Sequence, residues 1–254
     1  MTAESLFVNR YGEDSGPTLL LLHGLGATGE VWSDFVDVVG ERWPGPVVVP
    51  DLPGHGRSAR LPRYSYGGLA AAIAGSLAPD RPTAVLGHSL GGVLGLTLAS
   101  GWFGVPVPAV CGLGMKVRWT PTELAKAAEI AARPSMTFDT RAQAMDRALR
   151  IAGLTGLRPE LPNAVTSTSG GWRLTLDNAA FGVGAPDISG LIAAGRGDVV
   201  LAAGERDPMS PADHLAVFGR PIVLAGCGHY AQLEEPQALL PILDRLLDAA
   251  SSSL

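Results

Sequence analysis

The sequence predicts an α/β protein whose doubly wound, mostly parallel sheet has seven to eight strands and carries an inserted helical cap. Short, continuously apolar runs end in Gly, Asp or Pro and alternate with longer helical stretches, a pattern typical of a parallel sheet covered on both faces. The alternation stops at Lys116 and resumes after Pro186. A hydrophobic fraction of 46% against 17% charged residues excludes a disordered chain.

The first part of the chain contains predicted strands with helices between them. The strands are short apolar runs, at Leu6–Arg10, Leu19–Leu22, Val47–Val49, Ala84–Leu86 and Ala109–Leu113. Helices are predicted near Glu30–Glu41, at Tyr66–Leu77 and at Leu90–Ser100. Because a crossover between parallel strands is almost always right-handed, this alternation predicts helices on both faces of the sheet.

Between Lys116 and Pro186 the sequence shows helical signals but no clear strand. The segment Thr120–Glu123 has the pattern of a helix start, with threonine as the N-cap, proline next and glutamate three residues on. A second helix is expected to begin at Asp139 or Thr140. We therefore expect this stretch to form a helical cap inserted into the sheet domain.

The strand and helix pattern resumes after the insertion. Strands are predicted at Val199–Ala202 and Pro221–Leu224, and helices near Pro211–Phe218 and at Pro236–Ala249. The expected domain organisation is therefore a first core segment at residues 1–115, a cap at residues 116–186 and a second core segment at residues 187–254.

Composition and charge exclude several classes of function. The chain has 254 residues and a net charge of 19 − 24 = −5, so no basic excess indicates a nucleic-acid partner. Its first residues lack the basic and long apolar segments of a signal peptide, and no apolar run is long enough to cross a bilayer. Cys111 and Cys227 form no metal-ligand pattern. We expect a cytoplasmic protein with no membrane contact, no metal and no organic cofactor.

One motif indicates nucleophilic catalysis. The segment Gly87–Gly91 reads G-H-S-L-G and lies between the strand ending at Leu86 and the helix beginning at Leu90. In a strand–turn–helix setting, G-x-S-x-G places the serine on a strained turn, and the glycines leave room for that turn. Ser89 is therefore the predicted nucleophile. The alternative is a serine that caps the helix in an ordinary turn.

A serine hydroxyl is a weak nucleophile and needs a base. We predict that the base is His229, because it follows the last strand in a glycine-rich loop that can reach the C-terminal edge of the sheet, where ligands bind in open α/β folds. Loop packing or an exposed surface position is expected for the other histidines, His23, His55, His88 and His214.

Asp207 is the predicted acid that orients this histidine. It follows the strand Val199–Ala202 directly, which places it at the same edge of the sheet. Its alternative role is an Asx turn before proline. Glu205 is the nearest competitor, whereas Asp198 begins the strand and lies at the opposite end.

A glycine-rich loop supports a competing interpretation. The segment Gly24–Gly29 reads G-L-G-A-T-G, follows a strand and precedes a helix, and Asp51 ends the next strand 51 − 29 = 22 residues later. This is the local pattern of a dinucleotide-binding unit. That interpretation leaves Ser89, Asp207 and His229 unexplained, so we favour nucleophilic catalysis.

Taken together, these motifs resemble the α/β-hydrolase superfamily, in particular its small single-chain esterases with a helical cap. The resemblance covers nearly the whole chain through segments in a fixed order, His23–Gly26, Asp51–Ser58, Gly87–Gly92, Gly204–Asp207 and Gly228–His229. It implies the α/β-hydrolase fold, the chain order Ser, Asp, His, and an oxyanion hole formed by the backbone N–H groups of Leu25 and Leu90. The family usually has two antiparallel strands before the oxyanion strand, and only Leu6–Arg10 is clear here.

Because the residue at position 89 is serine, the chemistry that the resemblance implies is acyl transfer. We therefore predict a hydrolase that cleaves a small carboxylic ester or lactone through an acyl-enzyme intermediate. Carbon–carbon bond hydrolases and cofactor-free haloperoxidases use the same three residues. A receptor-like protein that binds its ligand without turnover is the alternative that is not an enzyme.

Substrate choice is expected to depend on the cap and the pocket mouth. By position, the candidate pocket residues are Met115, Trp119, Met136, Trp172, Phe181 and Tyr230. They favour an apolar acyl or aromatic group in the substrate, and ordinary core packing is the alternative for each of them.

Overall fold

The computed structural model describes residues 6–157 and 159–253. Its strands, in chain order, are Val8–Tyr11 (β1), Thr18–Leu22 (β2), Val47–Pro50 (β3), Thr83–His88 (β4), Ala109–Leu113 (β5), Thr137–Phe138 (β6), Val165–Thr168 (β7), Gly171–Leu174 (β8), Asp198–Gly204 (β9) and Ile222–Leu224 (β10).

The α-helices are Ser33–Val39 (α1), Tyr66–Ala74 (α2), Leu90–Ala99 (α3), Pro121–Ala131 (α4), Arg141–Ala152 (α5), Ile188–Ala194 (α6), Ala212–Leu215 (α7), Ala231–Glu234 (α8) and Leu240–Ser251 (α9). Short 3-10 turns precede several of them, including Gly29–Trp32 before α1 and Pro236–Leu239 before α9. Across residues 6–157 and 159–253, no helix is both long and apolar enough to cross a membrane.

Seven strands form the main sheet in the order β1-β3-β2-β4-β5-β9-β10. Strand β1 runs antiparallel to β3 at one edge, and the remaining neighbours are parallel. This arrangement confirms the predicted fold class, a doubly wound and mostly parallel sheet. In residues 6–157 and 159–253, β1 is the one strand that precedes β2, and the main sheet has the lower of the two predicted strand numbers.

Strand β2 shows why the predicted strands are continuously apolar. Leu19 and Leu21 contribute to the core on the face covered by α1 and α9. Leu20 and Leu22 contribute to the core on the opposite face, under α2 and α3. Because successive side chains of a strand point to opposite faces, the four leucines of β2 are buried on one face of the sheet or the other.

The stretch between β5 and α6 differs from its prediction. It contains α4 and α5, but also a three-stranded antiparallel sheet in the order β6-β8-β7, so the expectation of helices without a strand was wrong. These strands are two to four residues long and mostly half-buried or exposed, and they therefore lack the apolar runs on which the prediction relied. The cap boundaries, residues 116–186, stay a prediction.

Both helix starts in this stretch agree with the capping pattern in the sequence. The Thr120 side chain caps α4 by accepting a hydrogen bond from Glu123 N. The Glu123 side chain in turn accepts one from Thr120 N. Of the two candidate residues for the second start, Thr140 caps α5 in the same way with Gln143. These caps fix where both helices begin.

A buried carboxylate holds the loop that follows β3. Asp51 Oδ1 accepts a hydrogen bond from Gly29 N at 2.8 Å, and Oδ2 accepts one from Arg57 N at 2.9 Å. The Ser58 hydroxyl donates to the Asp51 carbonyl at 2.5 Å. Asp51, which completes the dinucleotide-binding pattern in the sequence, thus binds backbone N–H groups of its own chain and joins the glycine loop to residues 51–58.

Replacing this carboxylate is expected to destabilise the protein. In Asp51→Ala, two backbone N–H groups lose their acceptor, one of them buried, and the free energy of unfolding should fall by about 3 kcal/mol. Urea denaturation measures the change. Asp80→Ala, at an exposed turn residue, should shift the value by less than about 0.5 kcal/mol. Equal effects of the two substitutions would contradict this role for Asp51.

Candidate active site

The turn between β4 and α3 holds Ser89 in a strained conformation. Ser89 has φ +52° and ψ −114°, and no other non-glycine residue in the described part of the chain has a positive φ. A Cβ atom on Gly87 would overlap the Gly91 backbone, and one on Gly91 would overlap the Leu22 carbonyl. Ser89 N donates to Leu113 O at 2.8 Å. The sequence motif therefore forms the sharp elbow that its spacing predicts.

Asp207 and His229 meet at the C-terminal edge of the sheet. Asp207 follows β9, His229 follows β10, and His229 Nδ1 donates to Asp207 Oδ2 at 2.9 Å. The other oxygen, Oδ1, accepts hydrogen bonds from Met209 N at 2.8 Å and from Ser210 N at 3.1 Å. Asp207 therefore forms both the predicted pair and the Asx turn that was its alternative. Since Nδ1 is the donor, Nε2 is the nitrogen of His229 that is left to accept a proton.

A glycine that the sequence analysis missed supports this pair. Gly114 follows β5 with φ +60°, and a Cβ atom there would lie 3.3 Å from His229 Nδ1 and 3.4 Å from Asp207 Oδ2. A side chain at this position would press on the hydrogen bond between the two residues. In the sequence it is a glycine that directly follows a predicted strand, and many turns have a glycine at such a position.

Two backbone N–H groups near Ser89 have no hydrogen-bond acceptor among the described residues. Leu90 N–H is at the first position of α3, where a helix offers it no acceptor, and Leu25 lies in the loop after β2. A Cβ atom on Gly24 would lie 3.2 Å from Ser89 Cβ, so this loop passes next to the elbow. Within residues 6–157 and 159–253, neither N–H group, nor the Ser89 hydroxyl, makes a hydrogen bond. Both donors are thus free to bind an oxyanion.

Two buried histidines hold that loop in place. His23 Nε2 accepts a hydrogen bond from Leu52 N at 2.8 Å, and its Nδ1 donates to Gly24 O at 2.8 Å. His55 Nε2 accepts one from Gly26 N at 3.1 Å. Burial lowers the pKa of both rings, that of His55 to about 3. They stay neutral and pack the loop, which is the loop packing predicted for them.

The predicted pocket residues occupy two kinds of environment. Met115 is fully buried and packs against the backbones of Gly92 and Gly112. Tyr230 is also buried, and its hydroxyl donates to Ala152 O at the end of α5. The contacts of these two side chains are those of core packing, and Tyr230 links the histidine loop to the inserted stretch.

The other four candidates lie in the inserted stretch. Trp172 is half-buried against the core, and Phe181 is half-buried in a 3-10 turn. Trp119 and Met136 are 37% and 59% exposed. The role of these four residues in substrate binding stays a prediction.

The chain matches a known family over most of its length. The model of the family described as "Alpha/beta hydrolase family" matches residues 19–242. The magnesium-chelatase 30 kDa subunit of Rhodobacter capsulatus is 39% identical over 112 residues, which cover 40% of this chain and 36% of that protein. The pimeloyl-(acyl-carrier protein) methyl ester esterase of Methylococcus capsulatus is 37% identical over 94 residues, or 37% and 35% of the two chains. The matched segments thus span about a third of these relatives.

Solved structures resemble nearly the whole chain. The thioesterase domain from the curacin biosynthetic pathway has a TM-score of 0.73 at 19% identity and covers 93% of both chains. An E-2-(acetamidomethylene)succinate hydrolase has a TM-score of 0.71 at 22% identity and covers 96% of both. At these identities the likeness shows the fold.

Because the elbow is strained, we expect a residue with a side chain at position 89 to lower the free energy of unfolding relative to glycine. The backbone angles of Ser89 suit glycine, so Ser89→Gly should be more stable than Ser89→Ala by about 1 kcal/mol. Urea denaturation of the two variants measures the difference. A lower stability of the glycine variant would show that the elbow is not strained in solution.

The buried histidines predict an acid-sensitive fold. Their pKa values are lowered in the folded state, so the unfolded chain binds more protons below about pH 6.5. Stability should therefore fall as the pH falls from about 6.5 towards about 3, with each buried histidine contributing at most about 1.4 kcal/mol per pH unit. His55→Gln can still accept from Gly26 N and should have a shallower pH dependence than the wild type. The control His214→Gln, on α7, should keep the pH dependence of the wild type. Equal slopes of stability against pH for all three proteins would refute the prediction.

Proposed function

Because this chain belongs to the alpha/beta hydrolase family, we propose that it is a serine hydrolase that cleaves a carboxylic ester or lactone. The observation that carries the proposal is the hydrogen bond of 2.9 Å between His229 Nδ1 and the buried carboxylate of Asp207, formed at the sheet edge that also bears the strained Ser89. This pair is the base and orienting acid that a serine nucleophile needs.

In the proposed reaction Ser89 Oγ attacks the ester carbonyl carbon while His229 Nε2 takes the hydroxyl proton. Asp207 stabilises the imidazolium that forms, and the N–H groups of Leu25 and Leu90 bind the negatively charged oxygen of the tetrahedral intermediate. The intermediate collapses, the alcohol leaves with the proton from His229, and the acyl group stays on Ser89. Water, deprotonated by His229, then attacks the acyl carbon, and this second intermediate collapses to release the acid while His229 returns the proton to Ser89 Oγ.

Strain at Ser89 serves this reaction because it presents the hydroxyl away from both the strand and the helix. The free N–H of Leu90 is on the next residue, so the elbow supplies both the nucleophile and one oxyanion donor. Removing one such donor from a hydrolase typically costs about 3 kcal/mol of transition-state stabilisation. The backbone conformation at one residue thus contributes to two catalytic requirements.

For the substrate we propose an ester of a small alcohol on an apolar acyl group. Relatives named pimeloyl-(acyl-carrier protein) methyl ester esterase and protein phosphatase methylesterase 1 are by name esterases of methyl esters. A panel of methyl, ethyl and butyl esters of increasing acyl length tests this proposal, because these alcohols differ in size but little in leaving-group ability. A preference for bulky alcohols over methanol would contradict it.

Replacing the nucleophile tests the function. Ser89→Ala should lower p-nitrophenyl ester turnover by about a thousandfold or more, because the covalent route is lost, while the melting temperature stays close to that of the wild type. Retained turnover would exclude this mechanism. Ligand binding without turnover by the wild type would favour the receptor-like alternative, and cleavage of a vinylogous 1,5-diketone instead of esters would favour a carbon–carbon bond hydrolase.

A further inference from the structure

The backbone on both sides of His229 is bound by one carboxylate. Glu234, the last residue of α8, accepts a hydrogen bond from Gly228 N at 2.6 Å through Oε2 and one from Tyr230 N at 3.0 Å through Oε1. Its two oxygens therefore hold the backbone N–H groups of the residues immediately before and after His229. Hydrogen bonds to a charged acceptor are about twice as strong as those between neutral groups.

A buried imidazole binds the same residue from another side. His88 Nε2 donates to the His229 carbonyl at 2.9 Å, and the centroids of the two rings are 4.5 Å apart in an edge-on arrangement. Burial is the main reason that the pKa of His88 lies well below its usual value. The ring therefore stays neutral, and its proton lies on Nε2, facing the carbonyl.

We propose that Glu234 and His88 are positioning residues for His229, which together fix its backbone so that its ring binds Asp207 through Nδ1 and directs Nε2 towards Ser89. The proposal rests on the proposed function. Neither residue is a member of the catalytic triad, and each acts through His229. A catalytic group displaced by about 1 Å can lose about 100-fold in rate, so the three hydrogen bonds bear directly on turnover.

The composition and path of the histidine loop explain why it needs this support. The segment from Gly226 to Tyr230 contains two glycines and no regular secondary structure, and it must return the histidine over the sheet edge. The ring is tied to Asp207 by a single hydrogen bond. Without bonds to the adjoining peptide groups, rotation of the loop backbone would swing the ring about that one contact.

Glu234→Gln is the first test, and Glu235→Gln is its matched control. Glutamine has a single side-chain acceptor, so one of the two N–H groups would face an NH2 group instead of an oxygen. We expect kcat for p-nitrophenyl esters to fall by about 10- to 100-fold with KM within about twofold of the wild type. Glu235 is exposed and its side chain makes no hydrogen bond in the described part of the chain, so its variant should keep wild-type kinetics.

A second pair of variants tests His88. Phenylalanine keeps a ring but removes the donor, whereas glutamine keeps an N–H that can reach the His229 carbonyl. We expect His88→Phe to lose about tenfold in kcat and His88→Gln to recover most of it. Titration with a fluorophosphonate, which labels activated serines, counts the competent sites and separates slower sites from unfolded protein.

The NMR signal of the proton between His229 Nδ1 and Asp207 gives a readout that needs no substrate. In the wild type it should appear far downfield, and its loss in Asp207→Asn assigns it. Glu234→Gln should shift or broaden this signal, whereas Glu235→Gln should not. A merely structural role would lower the melting temperature without moving the signal or kcat per competent site, and that result would overturn the proposal.

The two proposals fail in different ways. If the wild type shows no ester turnover and no fluorophosphonate labelling at Ser89, the proposed function fails, and the NMR comparison still decides whether Glu234 positions His229. If the wild type turns over esters and Glu234→Gln matches it in kcat and in the downfield signal, the positioning role alone is refuted.

Discussion

The site depends on the backbone conformation of Ser89, which is unfavourable for any residue with a side chain and persists only because its surroundings enforce it. The bond from Ser89 N to Leu113 O ties the elbow to the neighbouring strand, and Gly87 and Gly91 allow the close approach that the turn needs. These contacts require β4 and β5 to lie side by side in parallel, with β2 on the other flank. The doubly wound sheet is thus the support that the elbow needs.

Burial separates His229 from His23, His55 and His88. His23, His55 and His88 are buried, and each binds backbone groups, so their rings act as neutral hydrogen-bonding groups. His229 is partly exposed and is bound to a carboxylate through one nitrogen. The same side chain can therefore support a loop or serve as a base, depending on whether water and an acid can reach it.

The sequence predicted those parts of the molecule that depend on local patterns. The elbow, the sheet and the positions of Asp207 and His229 all follow from motifs at strand ends, where chain order and sheet edge determine location. Strands β6–β8 were missed because they are short and only partly buried. Gly114 and Glu234 were missed because their contacts with the histidine loop depend on the folded loop, which no spacing in the sequence encodes. The exposure of the candidate pocket side chains likewise depends on how the inserted stretch packs.

The bond from the Tyr230 hydroxyl to the Ala152 carbonyl has a consequence for how such a protein can diverge. Its acceptor is a main-chain atom, so the link does not depend on which side chains α5 carries, provided that the helix ends at the same place. Point substitutions along the outer face of α5 leave the link intact, whereas an insertion or deletion that displaces the end of the helix breaks it beside His229. Length is therefore more constrained than composition in this part of the chain, and a graft of a foreign cap must match the helix end first.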